Sequence, residues 1–307
     1  MGERIRIATR ASKLARWQAN WVAARLGELG VETEFVPITT RGDTDQRPMG
    51  MVGGTNVFTK EVQAAVLEGL ADVAVHSLKD LGTSPPAELT LAAVPARGPT
   101  RDTLVSKGSV LLEALPTGAV VGTGSLRRRA QLTFFRPDLD IRDIRGNVET
   151  RIAKLDRGEY DAVVLAEAGL RRLALEDRIS EILGEAVMLP AVGQGALGLE
   201  TRADDAAARE TIGRLDDPST RAAVTAERRL LAVLEGGCMA PIAASGRVDE
   251  DTKRLILIAR VVRADGRERL EDTEEGDPRD AADIGEKLAR RLLDAGAAEL
   301  ICFGRGR

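Results

Sequence analysis

Short apolar runs alternate along the chain with stripes of apolar residues at helical spacing, a pattern that predicts strands alternating with helices. The first run, 4–10, predicts a strand. Ser12 is placed to cap a helix over 13–29, with Leu14, Trp17, Trp21, Ala24 and Leu26 on its apolar side and Gly30 stopping it. A strand over 34–39 leads into a loop of turn formers, 40–45. Val52-Gly-Gly-Thr-Asn56 then precedes a second helix with Phe58, Val62, Ala65, Val66 and Leu70 on one side. The runs 72–77 and 89–94 predict short buried parallel strands.

The segment 95–101, Pro-Ala-Arg-Gly-Pro-Thr-Arg, has little periodicity and reads as a domain crossing. The rhythm then repeats. A strand over 119–123 precedes a helix opening at Ser125, one over 140–144 precedes a helix opening near Asn147, and one over 162–166 ends at Gly169-Leu-Arg-Arg172. After Leu189-Pro-Ala-Val-Gly-Gln-Gly195 come a strand over 196–200 and helices over 205–215 and 219–235. This alternation implies βαβ units, parallel sheets and an α/β fold. The tail differs. Runs at 255–262 and 267–274, joined across Ala-Asp-Gly266, predict a β-hairpin, and Asp277-Pro278 opens an amphipathic helix with Ile284, Leu288, Leu292 and Leu293 inward. That is a small α+β domain. No internal repeat stands out in the sequence.

Composition narrows the function. A length of 307 residues favours two or three domains, and 43% hydrophobic with 30% charged residues is ordinary globular content. A net charge of −4 argues against a dedicated nucleic-acid binder and against a polybasic membrane patch. Cys238 and Cys302 make no disulfide framework and no metal-ligand spacing, and a single histidine, His76, excludes chemistry that needs two. No secretory leader and no long apolar run is seen, so a cytoplasmic protein without a membrane span is expected.

Arginines recur where strands hand over to helices: Arg10, then Arg127 and Arg128 after Gly-Thr-Gly-Ser125, Arg145 and Arg151 around Gly146-Asn147, and Arg171-Arg172. The C-terminal ends of parallel strands are where open α/β sheets bind ligands, and helix N-termini there offer N–H groups to anions. Thr123 and Ser125 add hydroxyls. Together they suggest a cleft for a ligand with several carboxylates, although arginines on helix faces, Arg129 and Arg136 among them, are ordinarily solvated. Asp80, ending His76-Ser77-Leu78-Lys79-Asp80, could stabilise a developing cation or move a proton. Position alone favours plainer roles, a helix N-cap for Asp80 and a half-buried imidazole for His76. Cys238, in Glu235-Gly-Gly-Cys-Met-Ala-Pro241, belongs on a tight loop past a helix end, where a free cysteine is ordinarily a small buried hydrophobe.

Six motifs in order carry a resemblance. They are Arg6-Ile-Ala-Thr-Arg10, Val75-His-Ser-Leu-Lys-Asp80, Gly122-Thr-Gly-Ser-Leu-Arg-Arg128, Arg145-Gly-Asn147, Leu189-Pro-Ala-Val-Gly-Gln-Gly195 and Leu234-Glu-Gly-Gly-Cys238. Spread over nearly the whole chain, this set resembles porphobilinogen deaminase (hydroxymethylbilane synthase). The resemblance implies a cytoplasmic, monomeric enzyme of tetrapyrrole (haem) biosynthesis. It would join four porphobilinogen molecules into hydroxymethylbilane with release of ammonia. It also implies two α/β domains like type II periplasmic binding proteins, 1–95 with 196–214 and 100–190, and a third α+β domain, 218–307, carrying the cofactor loop.

By the same resemblance Cys238 would hold a dipyrromethane cofactor through a thioether, and Asp80 would stabilise the azafulvene cation formed when ammonia leaves. Ser77, Lys79, Thr123, Ser125, Arg127, Arg128, Gly146 and Asn147 would contact the cofactor. Arg10, Ser12, Gln18, Arg145, Arg151, Arg172 and Gln194 would contact the substrate. No metal, nucleic acid or membrane is implied. The chain departs from the family pattern at Gly53-Gly54-Thr55-Asn56, where a lysine commonly follows the glycines, and at Gly82, where proline is usual. Two other classes compete. A solute-binding module would explain an anion cleft but needs neither Cys238 nor a third domain, and a nucleic-acid binder using residues 125–129 would want a basic surface.

Overall fold

The computed structural model describes residues 4–40, 59–234 and 240–302. The chain divides into two compact units, 1–98 with 195–221, and 99–194 with 222–307. The Cys238 loop and the Gly53–Asn56 segment lie outside the described residues.

The first unit holds a five-stranded sheet in the order β2-β1-β3-β10-β4, built from β1 (Arg4–Arg10), β2 (Glu32–Ile38), β3 (Val73–Ser77), β4 (Leu89–Ala93) and β10 (Leu197–Arg202). Strands β1, β2 and β3 are parallel, whereas β10 is antiparallel to both its neighbours. The sheet is therefore mixed, not purely parallel: β10 comes after the residues of the second unit in sequence and runs between β3 and β4 in the opposite direction. Helix α1 (Lys13–Glu28) packs on one face, and α2 (Lys60–Leu67) on the other. Ser12 caps α1, its Oγ accepting the Ala15 N–H at 3.2 Å. The buried side of α1 is Ala15, Gln18, Ala19, Val22 and Leu26, a register shifted from the predicted stripe. Small alanines let the helix lie close to the sheet, and Gln18 is buried because it has a polar partner, which an apolar count cannot register.

The second unit repeats this strand order as β7-β6-β8-β5-β9, from β5 (Asp102–Ser106), β6 (Val120–Gly122), β7 (Asp140–Arg142), β8 (Ala162–Ala166) and β9 (Glu181–Ile182). Again β6, β7 and β8 are parallel and β5 is antiparallel. Helices α3 (Leu126–Phe135), α4 (Val148–Asp156) and α5 (Glu167–Arg172) follow β6, β7 and β8. The same unit contains a three-stranded antiparallel sheet, β11 (Ile242–Val248), β12 (Leu255–Val262) and β13 (Arg269–Gly276). It is packed with α7 (Pro218–Val233), α8 (Ala281–Asp294) and α9 (Ala297–Cys302) around Leu230, Leu257, Val261 and Leu288. Helix α6 (Ala206–Gly213) belongs to the first unit. No helix among the described residues is long and apolar enough to cross a membrane.

Candidate functional site

Parallel pairing of β1 with β3 sets Ala8 beside Ala74, so Arg10 and Ser77 leave the first sheet at one edge. A 3₁₀ turn, Leu78–Asp80, follows β3 at once, so Asp80 sits inside this turn and is not a helix N-cap. Arg10, Ser12, Gln18, His76, Ser77 and Asp80 line one cavity of this unit. Gln18 Nε2 donates to Ser77 Oγ at 2.6 Å, which leaves the serine hydroxyl proton available to another acceptor. Lys79 lies beside them in the turn, half-buried. His76 is fully inside the protein, deeper than expected. Its Nε2 lies 3.1 Å from Glu200 Oε2, outside hydrogen-bond geometry, and Gln63 Nε2 donates to the same oxygen at 2.8 Å.

In the second unit the β6–α3 turn carries the anion-binding candidates. Thr123 is buried, and its Oγ1 accepts the Ser125 N–H at 3.3 Å. Ser125 caps α3 through the Arg128 N–H at 3.4 Å. Arg127 and Arg128 are 5% and 6% exposed, so they turn inward. Both meet Asp102, which opens β5 and pairs with Ala166 at the end of β8, at the edge where α3 begins. Burial alone would push the Asp102 carboxyl up, but the two guanidinium groups outweigh it and hold the carboxyl far below the usual range. Burial lowers Arg127, with Asp102 opposing. Gln194 is also buried here, its Nε2 donating to Thr100 O at 2.7 Å and to Asp102 Oδ1 at 3.0 Å.

Gly146 precedes α4 with φ +110, and a Cβ there would sit 2.6 Å from Thr150 Cγ2, so any other residue would be strained. Asn147 caps α4 by accepting the Thr150 N–H at 2.9 Å, and Arg151 Nε donates to Gly146 O at 2.8 Å. Arg145 is half-buried in this turn. Arg172 ends α5, and desolvation pushes its pKa down to about 10, which leaves it charged at neutral pH. Arg129 and Arg136 are partly solvated and also bound: Arg129 donates to Ile141 O and Asp143, and Arg136 donates to Asp138 and the carbonyls of Leu112, Glu113 and Leu115.

Among the described residues, no cluster of histidine, cysteine and acidic side chains suits a metal. The deciding comparison is with protein families. The domain described as "Porphobilinogen deaminase, dipyromethane cofactor binding domain" matches residues 5–210, and "Porphobilinogen deaminase, C-terminal domain" matches residues 221–294. The chain belongs to the porphobilinogen deaminase family. Among solved structures it is similar to the methionine binding protein MetQ, at 12% identity over 69% of this chain and 89% of that one with a TM-score of 0.46. It is also similar to a YaeC-family lipoprotein from Enterococcus faecalis, at 16% identity over 69% and 90% with a TM-score of 0.43.

The cofactor of this family domain is dipyrromethane, and the second unit fits such a group chemically. Arg127 Nε is a buried donor with no hydrogen-bond partner among the described residues. The cofactor's acetate and propionate groups provide the acceptors such a donor lacks.

Proposed function

We propose that this chain polymerises four porphobilinogen molecules into hydroxymethylbilane with release of ammonia, as a cytoplasmic monomer of tetrapyrrole (haem) biosynthesis. Cys238 would attach the dipyrromethane cofactor through its sulfur. Arg127, Thr123, Ser125, Lys79, Ser77, Gly146 and Asn147 would hold it, with Arg128 contributing its charge from behind Arg127, and Arg10, Ser12, Gln18, Arg145, Arg151, Arg172 and Gln194 would serve the substrate. The observation that carries the reading is the cavity where Asp80 meets Arg10, Ser12, Gln18 and Ser77. It joins one carboxylate to a cation and hydroxyl groups, as a substrate needs when it bears carboxylates and develops positive charge.

When bound, dipyrromethane supplies the pyrrole carbon to which the first substrate is joined. Arginine binds the substrate's acetate and propionate and so fixes its aminomethyl carbon. As ammonia departs, positive charge spreads over the substrate's pyrrole ring. A preorganised Asp80 carboxylate stabilises that charge and accepts the ring N–H. Ser77, held from behind by Gln18, keeps a fixed hydroxyl next to the turn that carries Asp80.

The test is an intact-mass spectrum of purified protein, paired with a porphobilinogen-consumption assay. Excess mass equal to a dipyrromethane, lost in Cys238→Ala together with activity, is the expected outcome. A bare chain without turnover would exclude the reading. Size-exclusion chromatography checks the monomer.

A further inference from the structure

Three side chains proposed to serve ligands converge on a carboxylate that the motifs do not contain. Asp102 has no exposed surface. It accepts from Arg127 Nη1 at 2.8 Å, from Arg128 Nε at 3.0 Å and Nη2 at 2.7 Å, and from Gln194 Nε2 at 3.0 Å. Two guanidinium charges against one carboxylate leave one positive charge on the cluster.

The two arginines are not equivalent. Arg128 directs Nε and Nη2 to Asp102 and Nη1 to Val164 O at 2.9 Å, so each of its nitrogens faces protein. Arg127 commits Nη1 twice, to Asp102 and to Leu189 O at 2.5 Å, while its Nε remains buried without an acceptor among the described residues. A buried donor left unmade costs its full desolvation penalty, so this edge is poised for an incoming anion.

We propose that Asp102 is a positioning residue for the reaction: it locks Arg128 as a strut and turns Arg127 so that its Nε edge takes a ligand carboxylate. The pair then offers a ligand one net charge, not two. The inference rests on the functional reading above. Charge alone gives the opposite expectation, since neutralising Asp102 raises the cluster to two positive charges and strengthens attraction for carboxylates. Loss of anchoring instead misplaces both guanidinium groups.

The experiment compares wild type with Asp102→Asn, measuring KM for porphobilinogen and, by intact mass, the fraction of folded molecules carrying the pyrrole group. KM does not depend on the active fraction, so partial misfolding would lower turnover and leave KM alone. Positioning predicts a KM raised about tenfold or more and a reduced loaded fraction. A KM unchanged or lowered overturns the proposal. Gln194→Leu removes one hydrogen bond to Asp102 and no charge, and should raise KM by about two- to fivefold. If Asp102→Asn does not fold, Gln194→Leu decides, and an unmoved KM there overturns the proposal. A wild type that is bare and inert removes the functional reading and this inference together. An active wild type with unmoved variants removes the role of Asp102 alone.

Discussion

Asp80 shares its cavity with the guanidinium of Arg10 and the hydroxyls of Ser12 and Ser77, and Asp80→Asn would keep its shape while removing its charge. Turnover should fall by about 10²–10³, as for loss of a preorganised electrostatic stabiliser, with little change in thermal midpoint. Turnover within a few-fold of wild type would remove Asp80 from the chemistry. Asp102 leads to a pH prediction. Its folded-state pKa lies below its unfolded value, so its stabilisation is complete above the unfolded value and is lost as pH falls toward the folded one. Urea midpoints should therefore decline below about pH 4, and the decline should be shallower in Asp102→Asn. Equal slopes in the two proteins would contradict the ion-pair assignment.

Helix starts were the most legible elements, because their signal is local. Ser12, Ser125 and Asn147 each cap the helix expected of them, and Asp205 caps α6. What the sequence concealed was non-local. Apolar patterning does not predict strand β5, because Asp102-Thr-Leu-Val-Ser follows a segment rich in proline and arginine and an aspartate stands at its buried start. Only the arrival of Arg127 and Arg128 from another element satisfies it, so the most connected carboxylate of the candidate site has no sequence signal beyond the two apolar residues Leu104 and Val105 that follow it. Strand β11, with alanine, serine and glycine in its middle, was silent for a similar reason. At Gly146 a local prediction follows. Gly146→Ala meets both a positive φ and the Thr150 methyl, so it should cost about 1–3 kcal/mol of unfolding free energy. Asn147→Ala, losing the cap and an exposed contact with the Thr150 hydroxyl, should cost about 1 kcal/mol. If urea denaturation gave the reverse order, the glycine would not be conformationally required.

The second unit joins two substructures that the sequence presents as separate, a five-stranded α/β sheet and a three-stranded antiparallel sheet. Their connection adds a buried polar cluster to the apolar packing of Val192. Arg260 of β12 donates through Nη1 to Gln131 Oε1 at 2.9 Å and through Nη2 to Glu185 O at 2.8 Å, and its Nε pairs with Glu271. The same Gln131 oxygen accepts the Leu189 N–H at 2.9 Å, and Leu189 O accepts from Arg127, so the third-sheet arginine is linked in three steps to the proposed ligand-binding arginine. Nearby, Glu227 accepts the N–H groups of Gly193 and Gly246, each at 2.7 Å. Arg260→Leu would take a donor from Glu185 O and Glu271 and leave Gln131 Oε1 with the Leu189 N–H alone, and losing hydrogen bonds to a charged group typically costs about 1.5–3 kcal/mol. The loss belongs to one unit. Both tryptophans, Trp17 and Trp21, lie in α1 of the first unit, so their fluorescence reports that unit, whereas far-ultraviolet circular dichroism reports the whole chain. In Arg260→Leu the dichroism midpoint should fall well below that of wild type and the fluorescence midpoint should move less. The two probes, however close in wild type, should separate. Equal displacement of both would mean that Arg260 stabilises the molecule as a whole and not the joint between the two sheets of the second unit.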